Sequence, residues 1–105
     1  LKTEGPSSTV LQIASFSPGG HNGWHSHPGI VVVTLTAGSI EWYDADCKKT
    51  VYKAGDSWAE GGQTHYFRST STTNIQLTAA FFISKGSALR IDQPAPPCAA
   101  SLGLD

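Results

Sequence analysis

The sequence predicts an all-β chain folded as a sandwich or barrel, and three observations carry that expectation. Apolar and polar residues alternate in short runs instead of recurring every 3.6 residues. Glycine-rich turns interrupt those runs at intervals of roughly 8–12 residues. No ten-residue stretch presents the apolar stripe of an amphipathic helix.

The runs can be taken in order. Val10 to Phe16 is a strand stopped by Ser17-Pro18-Gly19-Gly20. Ile30 to Thr36, rich in β-branched residues, ends at Ala37-Gly38. Ser39 to Asp44 places Ile40 and Trp42 on one face and Glu41 and Tyr43 on the other, so a hairpin across Gly38 is expected. Cys47-Lys48-Lys49 reads as a loop, Thr50 to Lys53 and Ser57 to Glu60 as short strands, and Gly61-Gly62 as a turn into Thr64 to Ser69. After the polar turn Ser71–Asn74 comes the cleanest alternation, with Ile75, Leu77, Ala79, Phe81 and Ile83 on one face. Residues 86–105 carry Pro94, Pro96 and Pro97 and read as an extended C-terminal arm.

At 105 residues the chain has the length of one domain. Charged residues make up 14% and hydrophobic residues 39%, so a packed core is favoured over disorder. Seven basic against eight acidic side chains leave a net charge of −1, which argues against a nucleic-acid footprint or a basic membrane-binding face. No apolar run approaches the length of a membrane span. Exposed edge strands in such a fold allow a homodimer.

Histidine placement carries the chemistry. In a strand, residues i and i+2 share a face, so His25-Ser26-His27 sets two imidazoles side by side. Neutral imidazole nitrogens bind Zn, Mn, Fe, Ni or Cu. His65, after the second glycine turn, would supply a third ligand. Four histidines in 105 residues produce a His-x-His pair by chance in roughly one sequence in seven, so the pair alone is not specific.

The context is more specific. Gly19, five residues, His25-x-His27 and then Gly38 resemble the first motif of the cupin superfamily, and Gly55-Asp56 with Gly61-Gly62-x-x-His65 resembles the second. Trp24 to Gly38 is similar to the corresponding stretch of small single-domain bacterial cupins. The resemblance implies a jelly-roll-type β-barrel over residues 1–105 with one divalent transition metal (Zn, Mn, Fe or Ni) held inside by His25, His27 and His65. It also implies a small-molecule ligand.

Two positions depart from the family pattern. The acid expected at position 31, with six residues between it and Gly38, is Val31, and no acid occurs between His27 and Ile40. Val31, Val33 and Leu35 then line one face, with Val31, Val33 and Phe67 as pocket-lining residues. In the second motif no proline precedes the Gly61-Gly62 turn, and Ser69 replaces the final Asn. Three neutral ligands without a carboxylate would leave a divalent ion's charge uncompensated, a site that attracts a small organic anion.

Glu60 is the acid nearest to His65 in sequence and reads as a strand-end surface carboxylate, a general base or late metal ligand being the alternative. His21 reads as a solvated loop residue, Asp56 as a turn residue, and Trp24, Trp42 and Trp58 as core. Tyr66, next to His65, is expected to face away from the site. Cys47 in a loop and Cys98 in the arm are expected to form a disulfide, with two free thiols as the alternative. A disulfide would fit a periplasmic or secreted location.

Two functions follow as expectations. One is a metal-dependent enzyme of dioxygenase, isomerase or lyase type, acting on a small organic anion or carbonyl compound. The other is a non-catalytic module that captures a small ligand or a metal.

Overall fold

The computed structural model describes residues 7–105. Nine strands follow in order: β1 (Ser7–Phe16), β2 (His25–Ser26), β3 (Ile30–Ala37), β4 (Ser39–Tyr43), β5 (Lys49–Lys53), β6 (Ser57–Glu60), β7 (Tyr66–Ser69), β8 (Ile75–Ser84) and β9 (Ile91–Asp92). A single 3₁₀ turn, Ala100–Leu102, is the only helical element among the described residues. Where alternation predicted strands, strands formed, because β-branched and aromatic side chains on one parity find a core to bury in.

The strands form a four-stranded antiparallel sheet ordered β1-β8-β3-β6 and a three-stranded sheet ordered β5-β4-β7. A third pair, β2-β9, bridges one end. The sheets pack face to face and do not close into a continuous barrel, so the barrel expectation becomes a jelly-roll sandwich. Between them lies the main core, drawn from both layers: Val31, Val33, Leu35, Ile40, Trp58, Phe67 and the inward residues of β8.

The hairpin expected across Gly38 does not form. β3 pairs with β8 and β6, whereas β4 pairs with β5 and β7. Gly38 is therefore the corner at which the chain leaves one sheet for the other. Its φ of +88° and the 2.6 Å that a Cβ would leave to Ile75 Cγ2 and Ser71 Oγ exclude other residues. The true hairpin joins β4 to β5, where the Asp44 carboxylate accepts the backbone N–H of Asp46 and Lys48 at 2.9 Å each.

Residues 86–105 are more than an extended arm. The segment contributes β9, then folds over the outer face of the three-stranded sheet. There Ala99 and Leu104 are buried with Trp24, Tyr43 and Tyr66 in a second cluster. The Trp24 indole N–H donates to the Leu104 carbonyl at 2.7 Å, and a Cys47–Cys98 disulfide ties the segment to the β4–β5 turn.

Candidate metal centre

Local pairing brings the three histidines together. His25 and His65 exchange backbone hydrogen bonds, His25 N–H to His65 O at 3.0 Å and His65 N–H to His25 O at 2.8 Å. That bridge puts both side chains on the interior face. His27, two residues after His25, shares the face and is held by its N–H donating to Gly61 O at 3.2 Å. The three rings sit with centroids 4.4–4.9 Å apart, and all three residues are buried.

Glu60 corrects the sequence reading: it is a buried carboxylate at the cluster, not a surface group. In the β3–β6 register Glu60 lies directly opposite Val31. The acid missing from position 31 is thus supplied by the neighbouring strand, at the same level of the sandwich. Its Oε1 lies 3.1 Å from both His27 Nε2 and His65 Nε2. Its Oε2 accepts the indole N–H of Trp42 at 3.0 Å and of Trp58 at 2.9 Å. Both tryptophans do pack in the interior, Trp58 stacked on Tyr52 and Trp42 on His65. They also fix the rotation of the carboxylate, so that Oε1 alone faces the imidazoles.

The signal that could have found Glu60 is parity. Trp58 was read as core, and Glu60 is two residues further along the same short strand, hence on the same face.

Hydrogen bonding settles the histidine tautomers. The Nδ1 atoms of His25, His27 and His65 lie 2.9, 2.9 and 2.8 Å from the carbonyl oxygens of Gly23, Leu89 and Gln63. A carbonyl can only accept, so each Nδ1 carries the proton. The Nε2 atoms are therefore the ones that point away from these contacts. His27 Nε2 and His65 Nε2 are 3.2 Å apart, closing a triangle with Glu60 Oε1. Such contacts are favourable only when a proton or a cation lies among them.

Donors about 2.05 Å from a shared tetrahedral centre are about 3.4 Å from one another. The observed 3.1–3.2 Å triangle is close to that, with all four donor atoms within 4.8 Å. Three imidazoles and one carboxylate suit a divalent transition ion.

The electrostatics agree with a cation site. Burial lowers the His25 pKa to about 4, with the positive potential of His65, Arg90 and His27 acting in the same direction against its bond to Gly23. Burial alone would raise the Glu60 carboxyl. Its contacts with His27 and His65, the His65 charge and the Trp58 N–H outweigh burial and hold it far below the usual carboxylate range.

A cavity of about 310 Å³ opens beside the cluster. His25, His27 and Glu60 form its polar side. Val31, Val33, Phe67, Leu77, Ala79 and Phe81 form an apolar wall, and Gln12, Asn22 and Arg90 are its remaining polar groups. Tyr66 faces outward, stacked between His21 and Trp24. His21 is exposed, and Asp56 serves the turn by accepting the Lys53 N–H at 2.9 Å.

Two facing antiparallel sheets with a His₃Glu cluster between them define a small all-β protein with an interior metal-type site. Residues 12–83 match the cupin domain, and the chain belongs to the cupin family. Among proteins of curated function none matches the sequence.

Solved structures share the fold. A double-stranded β-helix protein of Klebsiella pneumoniae has a TM-score of 0.69 at 17% identity, covering 90% of each chain. A DMSP lyase of Ruegeria pomeroyi has a TM-score of 0.71 at 15% identity, covering 84% of this chain and 44% of the lyase. A predicted oxalate decarboxylase of Thermotoga maritima has a TM-score of 0.62 at 25% identity, covering 71% of this chain and 65% of that one. This chain thus spans less than two thirds of either named enzyme. Among the described residues no helix is long and apolar enough to cross a membrane.

Proposed function

We propose that the protein binds one divalent transition metal through His25, His27, His65 and Glu60 and acts, as a metal-dependent enzyme, on a small organic anion or carbonyl compound. The observation that carries this is the inward convergence of four donors whose outward hydrogen bonds are all made. A bound divalent ion would polarise a substrate oxygen or lower the pKa of a water. Gly23, Leu89 and Gln63 hold the rings, Trp42 and Trp58 hold the carboxylate, and the apolar wall excludes bulk water. Neighbours named as a predicted oxalate decarboxylase and a DMSP lyase support a small substrate and, within the dioxygenase, isomerase or lyase range, the lyase type.

A second reading, a non-catalytic binding module, is favoured by one feature. Among the described residues and apart from the proposed ligands, Arg90 is the only titratable side chain lining the cavity, so none of them offers a separate general base. The Cys47–Cys98 disulfide supports an extracytoplasmic location.

Elemental analysis of the purified protein is expected to give one transition ion per chain, lost in His65→Ala. Wild-type protein that takes up no Zn, Mn, Fe or Ni overturns the metal reading. Turnover of a keto acid, diketone or thiol under one of these ions selects the enzyme, and binding without turnover under all of them selects the module.

A further inference from the structure

We infer that the cavity receives a compact monocarboxylate, its head engaged by Arg90 beside the metal cluster and its hydrocarbon body laid on the apolar wall. This rests on the metal reading above and adds the ligand class. Among the described residues Arg90 is the only lysine or arginine lining the cavity. The β2–β9 pairing sets its position, because Asp92 lies opposite His25 and Ile91 opposite Ser26. The guanidinium lies over Gly23, where an added Cβ would meet Arg90 Nη2 at 3.2 Å. Gly23 is the residue whose carbonyl orients His25. Arg90 Nε is engaged by the exposed Asp92 carboxylate at 2.7 Å. Its Nη atoms make no hydrogen bond among the described residues, which leaves donors for an incoming carboxylate.

Charge and size narrow the class. Glu60 offsets one charge of a divalent ion, so the loaded cluster retains one positive charge, and the Arg90–Asp92 pair is neutral. That balance accepts one negative charge and disfavours dianions in so apolar a chamber. At about 30 Å³ per water-sized group, 310 Å³ holds about ten such groups.

The test uses metal-loaded full-length protein, with 3-methylbutanoate and its uncharged primary amide as probes in calorimetry. The acid is expected to bind at least tenfold more tightly than the amide. Arg90→Gln is expected to remove that preference while leaving amide binding and metal content unchanged, and Asp92→Asn to keep it. Equal binding of acid and amide by the wild type, or an undiminished acid preference in Arg90→Gln, overturns the inference. Metal loss in Arg90→Gln overturns it as well, by making Arg90 a support for His25. A wild type that binds no metal sinks the metal reading instead, and elemental analysis reads that separately.

The outward face of the four-stranded sheet supports an independent inference: a second copy of this chain docks there. Among the described residues no outward position on β1, β8, β3 or β6 is charged. Leu11 is 70% exposed and Ile13 69%, with Ile30 and Val32 at 40% and 39%. Register aligns Leu11, Ala80, Val32 and Ala59 in one row across all four strands. Strands of 10, 10, 8 and 4 residues project to about 500 Å² per copy. Two copies then bury about 1,000 Å², the scale a specific interface needs, and an uncharged face meets its own image without repulsion.

Sedimentation of the wild type is expected to show a dimer, and Leu11→Lys with Val32→Lys a folded monomer. A wild type that is monomeric at 100 µM, or a dimer unchanged in the double variant, overturns this. So does a monomer that instead binds neutral lipid vesicles through the same face.

Discussion

The three-stranded sheet is covered on both sides, and its neighbouring residues divide between two different interiors. On β7, Phe67 enters the main core and lines the cavity, while Tyr66 enters the outer cluster under the C-terminal segment. On β4, Trp42 reaches Glu60, while Tyr43 lies beneath the segment. The inner side leaves a chamber of about 310 Å³ unfilled and accepts four polar ligand groups. The outer cluster consists of Trp24, Tyr43, Tyr66, Ala99 and Leu104, with Cys47 against it. An underfilled, polar centre on one side of the sheet thus lies back to back with a packed and covalently tied reverse.

The sharpest way to break this comparison is to cut the tie. Cys47→Ser with Cys98→Ser opens a cross-link spanning 51 positions and is expected to cost about 4 kcal/mol. Thermal denaturation with and without reductant checks this, and an unchanged midpoint would show that packing alone holds the segment.

Matched truncations sharpen the comparison further. Leu104→Ala, in the outer cluster, is expected to cost about 3 kcal/mol. Leu77→Ala, which borders existing empty space and forfeits fewer contacts, is expected to cost about 2 kcal/mol. Urea unfolding ranks the two, and the reverse order contradicts the account.

Glu60→Gln probes the inner side alone. It keeps an oxygen for the two indoles but removes the charge, so metal affinity is expected to drop at least tenfold. The metal-free fold is expected to lose stability as well, because the carboxylate's contacts with His27 and His65 go with its charge. Competition with a chelator and urea unfolding read these separately.

Acid should act on the inner side first. The His25 pKa is about 4 in the fold and 6.5 in the unfolded chain, so the unfolded state takes up the proton more readily. The stabilisation is complete above about pH 6.5 and declines as pH falls toward 4. Glu60, also depressed, loses its contribution below its unfolded value of 4.5. The urea midpoint of the metal-free protein is expected to fall across this range, and His25→Gln to flatten the upper part.

Local pattern revealed the strands and the histidines. Alternation identified Ile75 to Ile83, and the same-face rule paired His25 with His27. What it missed depends on pairing between distant residues. Turn chemistry at Gly38 predicts a hairpin because it does not say which sheet the next strand joins. Glu60 was read as exposed because its partner, Val31, is fixed by the β3–β6 register and not by any spacing within a motif. Arg90 and the Leu89 carbonyl are illegible in the sequence for the same reason: a proline-rich stretch gives no hint that it will pair with β2 and reach the cavity.

The match to the cupin domain stops at residue 83, whereas the carbonyl aiming His27 belongs to Leu89 and the cavity's guanidinium to Arg90. The matched portion of the chain holds the donor atoms, and the portion beyond it steers one of them and lines part of the cavity. Changes at Leu89 and Arg90 would therefore reach the site from outside the matched residues, whereas Cys98, Ala99 and Leu104 of the same segment stay committed to the disulfide and the outer cluster.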